Sequence, residues 1–184
     1  MTDPLEIKQK LMSMRPQILL DRSAILSTVN GIASTFNSSS YIPNSFPLLL
    51  PILEGASPFA MDLARRLTFP FEMKSVKVSS YSEMKKGDLR VDLFPSAEQL
   101  NGRTVILIDD ICDSGDTLKY CADLARNSGA HAVRSCALLV RKDCPEPSDF
   151  YGHVIEKGQW VFGYGMDFLD NLFRHGSSIE YVQV

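Results

Sequence analysis

Residues 105–118 read VILIDDICDSGDTL. The apolar run at 105–108 is followed directly by two adjacent acids, Asp109 and Asp110. A third acid, Asp113, follows just before a Ser-Gly pair. An apolar run of this kind is typical of a strand buried in the middle of a parallel sheet. Adjacent like charges at its end repel each other and lose hydration, so they need a partner. The stretch therefore predicts a ligand that is positively charged or rich in hydroxyl groups.

The sequence on both sides of this stretch alternates between strand and helix patterns. Strands are predicted at 17–20, 48–53, 75–81, 104–108 and 132–140, and helices at 22–36, from Ser57-Pro58 to Leu67, and at 117–127. This order indicates an α/β fold with a parallel sheet. The polar residues 82–92 are expected to form a mobile loop, and beyond residue 144 the pattern breaks into short pieces around 160–168.

Composition and charge narrow the class of protein. A chain of 184 residues fits one domain with a substantial core. Its net charge of −3 argues against nucleic acid or an anionic membrane as the main partner. No apolar stretch reaches about 18 residues, and the first residues lack the order of a signal peptide. The four cysteines form no C-x-x-C pair, which predicts reduced thiols in a cytoplasmic protein rather than a zinc site or a disulfide framework.

The quoted stretch has the chemistry of a sugar-phosphate site. In an open α/β sheet, ligands bind beyond the carboxyl ends of the strands, and Asp109 and Asp110 are predicted to lie at such an end. The loop 113–117 then opens a helix, and its amides together with the hydroxyls of Ser114 and Thr117 can hold a phosphate. Carboxylates bind ribose hydroxyls or Mg²⁺. The alternative is a capped helix with a solvated acidic turn, which the order of strand, two acids, turn and helix disfavours.

VILIDDICDSGDTL also resembles the phosphoribosyl-diphosphate (PRPP) signature of type I phosphoribosyltransferases. Further segments are similar to the hypoxanthine-guanine branch of that family and occur in its order: QILLDRSAIL (17–26), Leu53-Glu54-Gly55, Ser80-Tyr81, LLVRK (138–142) and WVFGYGMDF (160–168). The resemblance covers roughly residues 16–184.

The resemblance implies a fold and an activity. The fold is α/β, a parallel sheet flanked by helices, with a small hood built from the N- and C-terminal segments. Residues 1–184 are expected to form a single domain with its core at about 46–142 and its hood at about 1–25 and 143–184. The implied activity, in purine salvage, is Mg²⁺-dependent transfer of ribose 5-phosphate from PRPP to hypoxanthine or guanine. The products are IMP or GMP and pyrophosphate, and the enzyme is expected to be a cytoplasmic homodimer or homotetramer.

The resemblance also assigns roles around PRPP. Asp113 matches the acid beside purine N7 and is the expected general base. Asp109 and Asp110 would bind the ribose hydroxyls and Mg²⁺, and Asp167 would lie near a second Mg²⁺. The remaining PRPP contacts are expected from Ser114, Gly115, Asp116 and Thr117 at the 5-phosphate and from Glu54, Gly55 and Arg174 at the pyrophosphate.

On the purine side, Trp160 is expected to stack on the base, although a sole tryptophan can also be a core residue. Val161 would present its backbone to the base edge, close to Asp167. Arg141 aligns with the residue that contacts the 6-oxo group, and Lys142 is the alternative. Ser80 and Tyr81 would begin a lid that closes over the site.

Some positions depart from the family pattern. Glu54 and Arg141 stand where the family commonly has lysine, Asp116 places an acid in the phosphate loop, and one extra residue separates Asp167 from Arg174. The family's turn at 53–55 often contains a non-proline cis peptide, so a cis Leu53–Glu54 bond is expected, with the Glu54 carboxylate facing a partner subunit or solvent. Two alternatives stay open: an enzyme that prefers xanthine, and a PRPP- or nucleotide-sensing protein without turnover. Cys112, His153 and His175 are interpreted as structural or incidental.

Overall fold

The structure, a computed structural model, describes residues 4–38, 46–80, 89–168 and 173–184. Its helices are α1 (Pro4–Ser13), α2 (Arg22–Ser38), α3 (Ser57–Ala64), α4 (Ala97–Leu100) and α5 (Asp116–Asn127). Its strands are β1 (Gln17–Leu20), β2 (Leu48–Leu53), β3 (Glu72–Met73), β4 (Val76–Ser80), β5 (Leu89–Leu93), β6 (Thr104–Cys112), β7 (Ala132–Arg141), β8 (Phe150–Ile155), β9 (Gln159–Phe162) and β10 (Ile179–Gln183). Among the described helices, none has the length and apolar character needed to cross a membrane.

A seven-stranded sheet forms the centre of the molecule, in the order β5-β4-β2-β6-β7-β8 with β3 beside β2. Strands β2, β6, β7 and β8 are parallel, β4 is parallel to β2, and only the edge strand β5 is antiparallel to its neighbour among these described pairs. The prediction of an α/β fold with a mostly parallel sheet is confirmed. Because β6 is central, its carboxyl end lies between those of β2 and β7.

Helices cover both faces of this sheet. On one face α2 and α3 pack against apolar residues of β2, β6 and β7 through Val29, Phe59 and Leu63. On the other face α5 packs through Leu118, Cys121, Ala122 and Ala125, which have the spacing of one helix face. The central strands are apolar on both sides because both sides are buried, as the continuous run in β2 predicts.

Pro51 lies inside β2 without breaking the sheet. On one side β2 pairs first with β3 at Leu48 and Leu49 and then with β4 at Ile52 and Leu53. The Leu49 carbonyl accepts from the Lys74 amide at 3.0 Å, so residue 49 directs its polar groups to that side, and residue 51 does the same because a strand alternates. The amide hydrogen that proline lacks would point to the change-over from β3 to β4, where no described ladder bond is lost.

A second, three-stranded antiparallel sheet in the order β1-β10-β9 joins the two ends of the chain. Helix α1 packs on it, with Ile7 and Leu11 against Phe162, Phe168 and Val182. We refer to this unit as the hood. The expected division placed the end of the core near residue 142, whereas β8 pairs with β7 and thereby extends the central sheet to Ile155.

The strands differ from prediction in two other places. The strand predicted at 104–108 continues to Cys112 as β6. Asp109 and Asp110 therefore lie within the last residues of the strand rather than after it. Residues 89–93 form β5 instead of continuing the expected loop, since β4 provides ladder partners and the Ser79 hydroxyl donates to Asp92 at 2.7 Å. The rest of the expected loop, residues 82–88, lies outside the described residues, as does Tyr81 at the end of the predicted strand.

Candidate active site

A pocket of about 220 Å³ opens between the carboxyl end of β6 and the hood. Its walls come from both units of the fold. The lining residues are Asp110, Ile111, Asp113, Arg141, Trp160, Val161, Met166 and Asp167. Six of these eight were proposed from the sequence as site residues; Ile111 and Met166 were not.

The loop between β6 and α5 encloses a second, smaller cavity of about 70 Å³. It is lined by Asp109, Ile111, Cys112, Asp113, Ser114, Gly115, Thr117 and Leu118. Gly115 has a φ of 88° just before the first residue of α5, a left-handed conformation that favours glycine. A Cβ at this position would also overlap the Glu146 carbonyl. Three of the four residues proposed to bind the 5-phosphate, Ser114, Gly115 and Thr117, therefore line a cavity at a helix N-terminus, where amides and the helix dipole favour anions.

Asp116 forms contacts within this loop. The Ser114 hydroxyl donates to its carboxylate at 2.7 Å, and the Asp116 amide donates to the Ser114 oxygen at 3.3 Å. An acid in the first turn of a helix interacts favourably with the helix dipole. Asp116 thus adds negative charge to the loop that is proposed to bind a phosphate, although it is not among the residues that line the cavity.

Asp109 and Asp110 place two like-charged carboxyl groups side by side in the interior of the protein, which is unfavourable. Asp109 is only 7% exposed. Burial raises the pKa of its carboxyl well above the usual range, and the charge of Asp110 adds to the rise. Burial also raises the pKa of Asp110, while the nearby Arg174 guanidinium acts to lower it. Asp109 lines the small cavity and Asp110 the larger pocket, so the two carboxylates reach different compartments.

Asp113 and Arg141 form an ion pair at the boundary of the two cavities, with Arg141 Nε donating to the Asp113 carboxylate. One terminal nitrogen of Arg141 also donates to the carbonyls of Glu156 at 3.1 Å and Gln159 at 3.3 Å. These bonds hold the guanidinium in the pocket wall. Lys142 instead pairs with the Glu156 carboxylate at 2.9 Å, with both side chains more than half exposed. Of the two cations, Arg141 is the one that lines the pocket.

The hood reaches the site through the turn Gly163-Tyr164-Gly165. All three residues have positive φ values, 86°, 49° and 101°. A Cβ on Gly165 would overlap the carbonyl of Gly55, so this turn packs directly on the turn that follows β2. The close approach explains why glycine occupies position 165.

Arg174 and Asp167 follow that turn and pair with each other. Arg174 Nη2 lies 2.8 Å from the Asp167 carboxylate, and Nη1 donates to the Gly165 carbonyl at 2.5 Å. The extra residue between the two does not prevent the contact. The structure thus places both residues beside the Glu54-Gly55 turn, although Arg174 is not among the pocket-lining residues.

The turn after β2 contains the expected cis peptide between Leu53 and Glu54. A Cβ on Gly55 would overlap the Asp110 carboxylate, so this glycine allows the turn to approach β6. The Glu54 carboxylate lies 3.7 Å from the Lys77 ammonium group, and both side chains are largely exposed. Lys77 was not identified from the sequence, because only the pairing of Leu53 with Lys77 between β2 and β4 brings the two together.

Trp160 and Val161 lie next to each other on β9 and differ in exposure. Trp160 is 49% exposed and lines the pocket, whereas Val161 is 7% exposed. A half-exposed indole in a pocket wall is available to a ligand, which argues against the alternative of a core residue. Ser80 ends β4, and Tyr81 lies outside the described residues.

The donor set fits Mg²⁺ only in combination with a ligand. Within the described ranges, no three His, Cys, Asp or Glu side chains converge as a metal site. Mg²⁺ is commonly held by one or two carboxylates together with phosphate oxygens of the substrate. Asp109 and Asp110, whose charges are poorly compensated, match that pattern.

Comparison with known proteins agrees with this geometry. Residues 17–169 match the family described as phosphoribosyl transferase domain. The hypoxanthine-guanine phosphoribosyltransferase of Bacillus subtilis is 31% identical over 161 residues, covering 84% of this chain and 86% of that protein. The bifunctional protein TilS/HprT of Listeria innocua is 36% identical over 131 residues, which are 67% of this chain and only 20% of that protein. This chain thus spans about one fifth of the length of that bifunctional relative.

Solved structures show the same fold. The hypoxanthine phosphoribosyltransferase of Staphylococcus aureus superposes with a TM-score of 0.79 at 23% identity, covering 91% of each chain. The Trypanosoma cruzi enzyme in complex with the product IMP gives a TM-score of 0.79 at 24% identity, covering 90% of this chain and 93% of that one. The chain belongs to the phosphoribosyltransferase family, and within it to the group of the hypoxanthine-guanine phosphoribosyltransferases.

Proposed function

We propose that this protein transfers ribose 5-phosphate from PRPP to hypoxanthine or guanine, in a Mg²⁺-dependent reaction that releases pyrophosphate. The observation that carries the proposal is the joint lining of one pocket by the carboxylate of Asp113, the guanidinium of Arg141 and the indole of Trp160, next to the phosphate loop. An acceptor, a donor and an aromatic face are what a purine base requires. The phosphate loop supplies the second binding site that a two-substrate transfer needs.

PRPP is positioned by the end of β6 and the loop that follows. Amides of residues 114–117 and the Thr117 hydroxyl hold the 5-phosphate at the start of α5. Asp109 and Asp110 orient the ribose and hold Mg²⁺. A Mg²⁺ held by these two carboxylates would supply positive charge to the departing pyrophosphate. The transfer resembles glycoside chemistry in passing through an oxocarbenium-like state, so rate comes largely from alignment of the two substrates.

Asp113 and Arg141 form hydrogen bonds to the same edge of the purine. In a 6-oxopurine that is protonated on N7, the N–H is a donor and the neighbouring 6-oxo group is an acceptor. The Asp113 carboxylate accepts from N7 and takes its proton as the glycosidic bond forms, while an Arg141 N–H donates to the oxo group. Adenine presents an amino group at position 6, and a donor would then face a donor. The existing ion pair keeps the two groups adjacent before the base arrives.

Trp160 stacks on the base, and the backbone of Val161 meets the base edge. The apolar side chains of Ile111 and Met166 complete the wall and help to exclude water, which would otherwise compete with the purine. At the pyrophosphate end, Arg174 and the amides of the Glu54-Gly55 turn bind the leaving group, while Lys77 offsets the charge of Glu54. Ser80 and Tyr81 begin the lid that closes over the reacting centre.

At the level of the whole protein, we propose one domain over residues 1–184, with the hood completing the site, and a cytoplasmic homodimer or homotetramer. Nucleic acid and membranes are not proposed as partners, since the chain has a net charge of −3.

The test is pyrophosphate release from PRPP and Mg²⁺ with hypoxanthine, guanine, xanthine and adenine in parallel. We expect turnover with hypoxanthine or guanine and little or none with adenine. Sites built around polar contacts discriminate by about 10,000-fold or more. Efficient use of adenine would overturn the 6-oxopurine assignment, and a strong preference for xanthine would select the xanthine alternative. PRPP binding without release of pyrophosphate from any base would select the sensing protein.

Two neighbouring cations provide a matched pair of variants. Arg141→Ala removes the donor from the pocket wall and should lower kcat/KM for hypoxanthine by roughly 10- to 200-fold, as expected for loss of a charged hydrogen bond. Lys142→Ala removes only an exposed ion pair with Glu156 and should leave kcat/KM nearly unchanged. The reverse result would move the contact to Lys142.

A further inference from the structure

Two cysteines meet at the base of the phosphate loop. Cys112 is the last residue of β6 and is buried, while Cys144 follows β7 and is partly exposed. Their sulfur atoms are 3.6 Å apart, and the Cys112 sulfur is also 3.6 Å from the Glu146 carbonyl oxygen. All four cysteines of the chain are free thiols. Neither residue of this pair has a role in the proposed reaction.

The position of the pair links it to both substrates. Cys112 lines the small cavity and immediately precedes Asp113. The Cys144 amide donates to the Arg141 carbonyl at 2.9 Å, so Cys144 lies in the turn that follows the purine-contacting residue. The two thiols therefore lie at the carboxyl ends of β6 and β7, next to the residues proposed to bind PRPP and the base.

The segment that holds Cys144 rests directly on the phosphate loop. The Glu146 carbonyl lies where a Cβ of Gly115 would be, and the Glu146 carboxylate pairs with Lys119 on α5. Because these contacts are close, a shift of either thiol is passed on to the loop.

We propose that Cys112 and Cys144 form an oxidation site, whose reversible disulfide weakens PRPP binding. A disulfide has a sulfur-sulfur distance of about 2.05 Å, so the thiols have to approach each other by about 1.5 Å. That movement pulls the residue before Asp113 toward the 144–146 turn and changes the cavity at the phosphate loop. The effect on PRPP rests on the proposed function, whereas formation of the disulfide does not.

The chemistry needs an oxidant, for which a small-molecule disulfide such as oxidised glutathione suffices. The more accessible Cys144 thiolate attacks a glutathione sulfur, forms a mixed disulfide and releases one glutathione thiolate. Cys112 then loses its proton and attacks the Cys144 sulfur, which releases the second glutathione. Two electrons and the two thiol protons pass to glutathione, which ends as two thiols. Cys112 is buried, but this second step is intramolecular, with the two sulfur atoms 3.6 Å apart before reaction.

Reciprocity gives the proposal a second consequence. If the disulfide weakens PRPP binding by some factor, bound PRPP disfavours the disulfide by the same factor. Substrate should therefore protect the thiols, and the protection should appear as a lower oxidised fraction at a fixed ratio of reduced to oxidised glutathione.

The experiment equilibrates the full-length protein in glutathione buffers of increasing oxidising strength, blocks free thiols, and digests with trypsin. The expected product is a disulfide-linked pair of peptides, 104–119 containing Cys112 and 143–157 containing Cys144. Affinity for PRPP with Mg²⁺, measured by calorimetry on undigested portions of the same equilibrated samples, should fall by about 5- to 150-fold, the usual range of coupling between sites. Dithiothreitol should restore it.

Cys144→Ser is the control, because it removes one partly exposed thiol and leaves the buried Cys112 in place. It should form no linked peptide and keep its PRPP affinity in the most oxidising buffer. Absence of the linked peptide in the wild type at equilibrium overturns the oxidation site. A linked peptide without a change in PRPP affinity overturns its effect on binding. Failure of the reduced protein to bind PRPP counts against the proposed function, and the linked peptide still decides whether the site exists.

Discussion

Asp113 occupies the boundary between the two cavities of the candidate site. Its side chain is 64% exposed although Arg141 is paired with it. A base that enters the larger pocket can therefore reach this carboxylate without displacing any part of the fold, while the guanidinium stays at its side. Such access is what a general base needs, because it must reach the proton that it removes.

For Asp113→Asn we expect turnover to fall by about 100- to 10,000-fold while PRPP still binds. An amide of the same shape cannot accept the purine proton, but it leaves the loop intact. Pyrophosphate release and calorimetry with PRPP measure the two properties separately. Asp143→Asn, an exposed acid in the turn after β7, is the matched control and should retain full turnover. Near-normal turnover of Asp113→Asn across pH would assign Asp113 a structural role.

Trp160 gives a second prediction at this scale. As the sole tryptophan, it should report nucleotide binding through a change in its fluorescence. Trp160→Ala should weaken IMP or GMP binding by about 1–3 kcal/mol, the usual contribution of base stacking on an aromatic ring. Trp160→Phe should keep most of the affinity because it retains a ring. Unchanged fluorescence together with unchanged affinity of the alanine variant would exclude stacking.

At the level of elements, the hood turn 163–165 packs on the turn after β2. This contact holds the hood against the central sheet, so that both units line the pocket. The hood contributes Trp160, Val161, Met166 and Asp167 to the pocket, and the central sheet contributes the rest. The Gly165 and Gly55 backbones are in direct contact, so no other residue fits at 165 without moving the hood.

Gly165→Ala should therefore lower stability by about 1–3 kcal/mol, because it combines a φ of 101° with overlap at the Gly55 carbonyl. Gly31→Ala, inside α2 where nothing lies within 4 Å of an added Cβ, should instead stabilise the protein by about 0.5–1 kcal/mol. Thermal or denaturant unfolding of both variants measures the difference. Equal effects of the two substitutions would mean that the hood turn does not depend on a close backbone approach.

At the scale of the whole molecule, the buried acids give stability a particular dependence on pH. Burial raises the pKa of Asp109 and of Asp110, so the folded state binds more protons than the unfolded state between an unfolded pKa of about 3.9 and the folded values. Stability contributed by the protonated carboxyls is present below that window. It is lost as pH rises through it, because charges must then be buried.

We therefore expect the melting temperature of the ligand-free protein to fall as pH rises from about 4, the unfolded pKa of an aspartate, toward neutrality. Asp109→Asn removes one buried charge, so it should melt at a higher temperature at neutral pH and show a shallower dependence. Differential scanning fluorimetry across this range measures both, with Asp143→Asn as the surface control. A melting temperature that rises with pH in the wild type, or an identical slope in Asp109→Asn, would contradict the account.

The sequence by itself determined the class of fold and most members of the candidate site. The alternation of strand and helix patterns and the loop 113–117 were both predicted, because each depends on side-chain spacing or turn chemistry within a short segment. The sequence did not predict the elements that are stabilised mainly by tertiary contacts. Helix α1 is held by Ile7 and Leu11 against the hood, and β5 is a polar edge strand held by β4.

Only the tertiary structure decided which charges meet. Arg141 forms an ion pair with Asp113, whereas its neighbour Lys142 pairs with Glu156. Glu54 pairs with Lys77 on the adjacent strand. These pairings depend on the register of neighbouring parallel strands, for which the local sequence carries no signal. The same holds for Cys112 and Cys144, which no short spacing links and which become neighbours because β6 and β7 end side by side.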